Sequence, residues 1–362
     1  MFAHGLLFDL VGGNSSHPLE RRGVVGGDGR FLVDRFRGGR THVETTRRRC
    51  MMRVGSIRGR TAAWMLVVLL PVSAMTACTS RSQGETRTLF ERESLYHYVR
   101  VVEQGDVRYL QFRRSGSDYD ESAIRLSDPL DFPLNYYRLM FAGLAHHPEP
   151  KRVLFVGLGG GTLPRALHHY FPQAKIDVIE LDEIVVDAAV RYFGFPLDDP
   201  QIDVYIRDAR VQINRFVREK RTYDLIFLDA FRGGYIPYHL TTREFFEAVR
   251  SILDKNGVVV SNLQAGFRSY DYHRRTLAAV FRNDWSYGDR ANVIVVDSNE
   301  PNPPSHEELV ARARQLQEKL DFRFHLPSIV EAGGVRDNYQ RSGRILTDDY
   351  APTDVLRNLP RE

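Results

Sequence analysis

The chain is 362 residues long, 43% hydrophobic and 27% charged, which is enough apolar material to bury one large core or two smaller ones. Its net charge of +4 comes from the leader, because the first 60 residues hold twelve Arg, no Lys and five acidic residues. The rest of the chain is net acidic, which excludes the basic footprint of a nucleic-acid-binding protein. Both cysteines, Cys50 and Cys78, lie in the first quarter, so the remainder contains neither a disulfide nor a cysteine-ligated zinc site.

Residues 1–51 are rich in Gly and Arg and lack apolar periodicity, so we interpret them as an unstructured or untranslated leader. Residues 52–77 have the layout of a signal peptide: arginines, a mostly apolar run and a small-residue exit before Cys78. An uncleaved anchor is the alternative, but the apolar run is shorter than the roughly 20 residues that span a bilayer. The exit resembles a lipobox, which implies a lipidated Cys78 and export to the outer face of a bacterial membrane.

Residues 78–133 predict a polar linker followed by a β-rich segment. Two β-rich runs, 96–102 and 107–112, flank a Gly-Asp turn and predict a hairpin. A short helix is expected over 139–146.

Residues 134–298 alternate strand and helix in short units, which predicts a doubly wound, mostly parallel α/β domain with helices on both faces of its sheet. The tail, 299–362, predicts a helix over 305–320 that opens with a capping box. Six strand cores and five helices are expected in the α/β domain. The strands are 153–156, 176–179, 204–206, 225–228, 258–260 and 292–296, and the helices are 163–170, 183–193, 211–220, 242–253 and 270–281.

The first of these strands runs into a glycine-rich turn and then directly into a helix. Gly157, Gly159 and Gly161 allow a sharp turn and close approach of a ligand to the backbone. A turn required only for packing, or an NAD site, are the alternatives. Thr162 stands where the dinucleotide fingerprint has its third glycine.

Acidic residues follow the next three strands: Glu180, Asp208 and Asp229. Ligands of open α/β sheets bind beyond the carboxyl ends of the strands, so these side chains are expected to converge over the glycine turn. Glu180 follows at the spacing of a carboxylate that binds ribose hydroxyls. Asp208 is placed to accept a hydrogen bond from an adenine amine. Together they predict a nucleoside site.

The segment from about residue 94 to 354 resembles the spermidine synthase (polyamine aminopropyltransferase) family, in particular a divergent branch of it. The resemblance implies the seven-stranded sheet of class I S-adenosylmethionine-dependent transferases and a decarboxylated S-adenosylmethionine donor. It also implies that the glycine turn holds the donor tail, that Glu180 and Asp208 bind the nucleoside, and that Asp229 deprotonates the attacking amine. The matching stretches are 156–164, 178–182, 208–210, 223–231, 236–245 and 346–352.

The sequence departs from the family pattern where the amine acceptor should bind. Arg232 replaces the second acid of the Asp-x-x-Asp-Pro run, and the glycine turn lacks the aspartate of authentic synthases. The Tyr-His-Glu run before the sheet reads Asn135-Tyr136-Tyr137. Because a polyamine dication needs several carboxylates to replace its water, one certain carboxylate makes putrescine a poor acceptor.

We therefore expect a spermidine-synthase-like transferase that uses decarboxylated S-adenosylmethionine or S-adenosylmethionine to alkylate a small-molecule amine. An S-adenosylmethionine-dependent methyltransferase and a non-catalytic exported protein with the same fold are the alternatives. No metal cofactor is expected, since the histidine pairs 146–147 and 168–169 have no partner at metal-ligand spacing and are predicted at the surface. Membrane attachment is expected through Cys78 or the N-terminal anchor, and a homodimer remains open.

Overall fold

A computed structural model describes residues 23–25, 31–33, 86–288, 291–334 and 338–361. In the leader, β1 (Gly23–Val25) pairs antiparallel with β2 (Phe31–Val33). The predicted signal peptide and Cys78 lie outside the described residues. Among the residues described, no helix combines the length and apolar character that crossing a membrane requires.

The β-rich segment forms, within the described residues, a four-stranded antiparallel sheet in the order β3-β4-β5-β6. The predicted hairpin is the central pair, and strands on both sides extend it. Apolar residues on one face, among them Val101 and Phe112, pack against helix α4. The strands are β3 (Arg87–Glu93), β4 (Tyr98–Gln104), β5 (Val107–Arg114) and β6 (Ser117–Arg125), and α4 is Glu183–Phe193.

The α/β domain contains, in the part of the chain that is described, a seven-stranded sheet in the order β12-β13-β11-β10-β7-β8-β9. The prediction of a mostly parallel doubly wound sheet is confirmed, since in this described sheet six strands run in one direction and β13 runs in the opposite one. The strands are β7 (Arg152–Val156), β8 (Lys175–Glu180), β9 (Ile202–Ile206), β10 (Tyr223–Leu228), β11 (Leu253–Gln264), β12 (Asn283–Tyr287) and β13 (Asn292–Ser298).

Helices cover both faces of this sheet, and each face has its own apolar core. Capping residues define several helix starts: Thr242 caps α6, and Ser305 with Glu308 forms the predicted capping box of α8. The tail has two short helices, α9 and α10, beyond the predicted one. The remaining helices are α1 (Asn135–Met140), α2 (Gly143–His146), α3 (Thr162–Tyr170), α5 (Ala209–Arg218), α6 (Arg243–Ser251), α7 (Ser269–Ala278), α8 (His306–Lys319), α9 (Leu326–Ala332) and α10 (Thr353–Leu356).

Two predictions on the segment before β7 need correction. The single helix expected over 139–146 is two shorter helices, α1 and α2. His146 was expected at the surface and is instead buried, with its Nε2 2.6 Å from the Tyr287 hydroxyl. Burial lowers the pKa of His146 to about 3, so the ring is a neutral part of the core.

Candidate active site

The glycine turn between β7 and α3 requires glycine at each predicted position. Gly157 has a φ of +100°, and a Cβ there would lie 2.6 Å from the carbonyl oxygen of Asp229. Gly159 and Gly161 also have positive φ, +54° and +71°, and a Cβ on Gly161 would lie 2.5 Å from the Phe195 ring. The turn therefore lies directly beside the end of β10.

An open cleft lies over this turn. The cleft lies at the carboxyl ends of β7, β8, β9 and β10. The strand order reverses between β7 and β10, and open α/β sheets bind ligands at such a switch point. Gly157, Gly159, Glu180, Asp208 and Asp229 all line the cleft, as the spacing of the strand ends predicts. Gly161 lies at the N-cap of α3, behind the lining.

Glu180 is buried at the end of β8 and holds the backbone around it. One carboxylate oxygen accepts from the backbone N–H of Leu158 and the other from that of Asp182, both at 3.0 Å. Burial raises the pKa of Glu180, and these two donors oppose that effect. The carboxylate thus ties the glycine turn to the start of α4 and is held in a fixed position.

Asp208 caps helix α5 at the end of β9. It accepts from the backbone N–H of Val211 at 3.0 Å, and its other oxygen lies 2.9 Å from Nε2 of His239. The hydrogen bond from His239 holds the pKa of Asp208 below its ordinary value. His239 also lines the cleft and was not identified from the sequence.

His97 enters the cleft from the N-terminal segment, immediately before β4. Its ring stacks on Phe112 with centroids 4.0 Å apart, and its Nδ1 lies 3.2 Å from a carboxylate oxygen of Asp182. Among the described residues, the buried Nε2 of His97 has no hydrogen-bond partner. Because Asp182 orients the ring, this nitrogen is a fixed polar group in the part of the cleft that Glu180 also lines.

Asp229 lies at the other end of the cleft, half-buried after β10. Its Oδ1 accepts from the side-chain amide of Asn262 at 2.8 Å, and Asn292 in turn donates to Asn262 at 2.9 Å. Burial raises the pKa of Asp229 to about 7, although hydrogen bonds from Asn262 and Tyr136 favour the charged form. A carboxyl group with that pKa is suited to general base catalysis near neutral pH.

Two more groups from outside the α/β motifs face Asp229. The Tyr136 hydroxyl, at the start of α1, also donates to the backbone carbonyl of Glu121 at 3.2 Å. Glu121, on β6, accepts from the backbone N–H of Gly234 at 3.1 Å. Burial raises the pKa of Glu121 to about 7, and the charge of Asp229 acts in the same direction. The cleft therefore holds a second carboxyl group beside Asp229.

Comparison with known proteins agrees with this geometry. Residues 136–283 match the family model described as the spermine/spermidine synthase domain. A polyamine aminopropyltransferase from Vibrio vulnificus (strain CMCP6) is 32% identical over 302 residues, which cover 80% of this chain and 98% of that protein. The chain belongs to the spermidine synthase family.

Other relatives show the same fold and a second activity class. The spermidine synthase of Thermotoga maritima superposes with a TM-score of 0.54 at 19% identity, over 70% of this chain and 85% of that one. An eEF1A lysine and N-terminal methyltransferase from Xenopus laevis is 31% identical over 160 residues, which cover 40% of this chain and 23% of that protein. The fold is thus that of a spermidine synthase, and this chain is a transferase of that family.

The departures from the spermidine synthase pattern have specific places in the structure. Arg232 is exposed, and its guanidinium contacts the carbonyl oxygen of Tyr96 at 3.5 Å. Its charge is therefore at the rim of the cleft and not beside Asp229. Asp348, in the matching stretch 346–352, forms an ion pair with Arg210 on α5.

Sequence reasoning found the residues at the strand ends and missed those contributed by the N-terminal segment. His97 and Glu121 precede the glycine turn and belong to no motif with fixed spacing from it, whereas Tyr136 lies in the run 135–137 already compared with the family pattern. The absence of the loop aspartate was the available signal, because it predicts that a carboxylate must come from elsewhere. Among the described residues, no group of three or more His, Cys, Asp or Glu is arranged to hold a metal ion.

Proposed function

We propose that this protein transfers an aminopropyl group from decarboxylated S-adenosylmethionine to a small-molecule amine. The observation that carries the proposal is Asp229, a cleft carboxyl group with a pKa raised to about 7 and an orientation fixed by Asn262. Membership of the spermidine synthase family supports the same reaction class.

The nucleoside end of the cleft supports an adenine nucleoside with a sulfonium tail. Glu180 and the free Nε2 of His97, unpartnered among the described residues, offer an acceptor and a polar ring nitrogen for ribose hydroxyls. Asp208 offers an acceptor for the adenine amine at the neighbouring strand end. Gly157 and Gly159 line the cleft next to Asp229, which is where we place the tail.

The reaction is a nucleophilic displacement in which the acceptor amine first loses a proton. An alkylammonium ion gives this proton to the Asp229 carboxylate, which frees the nitrogen lone pair. The nitrogen then forms a bond to the tail carbon attached to sulfur, and the carbon–sulfur bond breaks. The electron pair of that bond goes to sulfur, so the cationic sulfonium leaves as the neutral thioether methylthioadenosine.

The test is incubation of the purified protein with each donor and a panel of di- and polyamines, followed by identification of the nucleoside released. We expect methylthioadenosine, at a rate that Asp229→Asn lowers by about 10²- to 10⁴-fold. Glu318→Gln, an exposed carboxylate on α8, is the matched control and leaves the rate unchanged. Release of S-adenosylhomocysteine assigns the methyltransferase reaction instead. Binding of donor without release of either product assigns a non-catalytic protein that retains the fold.

We also propose that residues 52–77 direct export and that Cys78 is lipidated, so that the protein is held on the outer face of a bacterial membrane. The support is the layout of arginines, apolar run and small-residue exit in the sequence. Intact-mass analysis of membrane-extracted protein is expected to show a chain that begins at a lipid-modified Cys78. A cytosolic chain that still carries Trp64 contradicts the proposal.

A further inference from the structure

Glu121 lies over the glycine turn, although it belongs to the separate N-terminal sheet. A Cβ on Gly159 would be 3.9 Å from the backbone carbonyl of Glu121 and 3.2 Å from Cβ of Ser122. Strand β6 therefore passes directly above the turn that we assign to the donor tail, and the Glu121 side chain lines the same cleft.

This close packing explains why the turn itself has no acidic side chain. A Cβ on Gly160 would lie 2.7 Å from the Phe193 ring and 2.9 Å from the Ser122 hydroxyl. Any side chain at this position collides with β6 or with α4. An acidic side chain is therefore not accommodated at Gly160 itself, and Glu121 is the acidic residue of β6 that lines the cleft over this turn.

The surroundings of Glu121 favour a cationic ligand group. Asp229 and Tyr136 face it from the α/β domain and α1, and Asp120 precedes it on the opposite face of β6. Its polar contacts with Gly233 and Gly234 are backbone N–H groups, which carry no full charge to neutralise a carboxylate. An ammonium ion placed between Glu121 and Asp229 would supply the missing charge.

We propose that Glu121 selects the donor: its carboxylate binds the ammonium group at the end of a decarboxylated tail and repels the α-carboxylate of S-adenosylmethionine. This inference rests on the proposed function, and it assigns to β6 the charge that the glycine turn lacks. The two donors share the nucleoside and the sulfonium, so the added carboxylate is the group on which a nearby fixed charge discriminates.

A purely structural role for Glu121 makes a different prediction. If its task is to accept the hydrogen bond from Gly234, then Glu121→Gln preserves that task, because an amide oxygen accepts equally well. The glutamine variant therefore removes the charge and keeps the contact. Asp120→Asn is the matched control, since this exposed neighbour bonds to Gln111 outside the cleft.

Calorimetry with methylthioadenosine, decarboxylated S-adenosylmethionine and S-adenosylmethionine tests the proposal. The wild type is expected to bind the decarboxylated donor at least about tenfold more tightly than S-adenosylmethionine. Glu121→Gln is expected to remove most of that preference and to leave methylthioadenosine binding unchanged, whereas Asp120→Asn keeps the preference.

Proton linkage provides a second readout that a structural role does not affect. Because the pKa of Glu121 is near 7, binding of the decarboxylated donor at pH 7 releases protons, whereas methylthioadenosine, which lacks the ammonium, releases none. Calorimetric titrations in buffers with different heats of ionisation measure the number of protons released on binding. It is expected to fall strongly in Glu121→Gln and much less in Asp120→Asn, which removes only the smallest of the contributions to the raised pKa of Glu121.

The outcomes separate this proposal from the proposed function. A wild type that binds the two donors equally tightly overturns donor selection by Glu121, whether or not the variant folds. An unchanged preference and proton release in Glu121→Gln also overturn it, while the proposed transferase stands. A wild type that binds none of the three nucleosides overturns both.

Discussion

The raised pKa of Asp229 predicts that this residue lowers the stability of the folded protein at neutral and higher pH. Its pKa rises from the ordinary value of 3.8 to about 7 because the carboxyl group is removed from water. Between these two values the folded state binds more protons than the unfolded state, so the free energy of unfolding falls as pH increases. The loss of stability is complete above about pH 8, and it vanishes below 3.8, the pKa of the carboxyl group in the unfolded chain.

The shift corresponds to at most about 4 kcal/mol at pH 8. Because one side of Asp229 faces an open cleft, we expect about half of that, ~2 kcal/mol. Asp229→Asn removes the titration and keeps an oxygen that accepts from Asn262. The variant is therefore expected to be as stable as the wild type near pH 4 and more stable at pH 8. The loss of repulsion on Glu121 acts in the same direction.

Urea denaturation of wild type and variant at pH 5, 6, 7 and 8 measures this difference. We expect the advantage of Asp229→Asn to grow by more than ~1 kcal/mol across that range. Glu318→Gln, which changes an exposed carboxylate on α8, gives the baseline and should show no such trend. A difference that is independent of pH, or an Asp229→Asn protein that becomes relatively less stable as pH increases, refutes the reasoning.

Three further predictions concern the cleft. Gly157→Ala should lower the free energy of unfolding by more than about 2 kcal/mol, because φ is positive and a Cβ would clash with the carbonyl oxygen of Asp229. In the same urea assay Gly105→Ala, at positive φ but with no atom within 4 Å, should cost only about 1 kcal/mol. His97→Ala should weaken methylthioadenosine binding by about tenfold in calorimetry, and equal affinity would exclude a nucleoside contact. Asp208→Ala should destabilise α5 by about 1 kcal/mol through loss of its N-cap, measured by thermal unfolding.

The central strands were predictable because a parallel strand that is buried on both faces reads as a short, continuous apolar run. Strands β7 and β10 contain such runs, at 153–156 and 225–228, and a helix with periodic apolar residues follows each of them. The strands that sequence reasoning missed carry no such pattern. The first half of β6 is exposed, and β12 is a short polar strand at the edge of the sheet.

The residues of the candidate site also fall into two groups, those that the sequence predicts and those that it does not. Glu180, Asp208 and Asp229 were identified because the topology of a parallel sheet brings successive strand ends together. Glu121 and His97 reach the cleft through packing of the small sheet on α4, and no local spacing in the chain records that contact. Tyr136 was visible as an aromatic residue, but its hydrogen bonds depend on how α1 is positioned.

The two ends of the cleft are built on different physical principles, and this difference links stability to function. At the nucleoside end, Glu180 and Asp208 are held by hydrogen bonds from the protein itself and keep their geometry without a ligand. At the other end, burial raises the pKa of both Asp229 and Glu121 to about 7, so their ionisation opposes folding. A cationic ligand offsets this loss of stability by binding the two carboxylates, and the gain increases as pH rises. An uncharged nucleoside does not offset the loss. The acidic end of this cleft is thus arranged to gain binding energy from cations through groups that lower the stability of the empty protein.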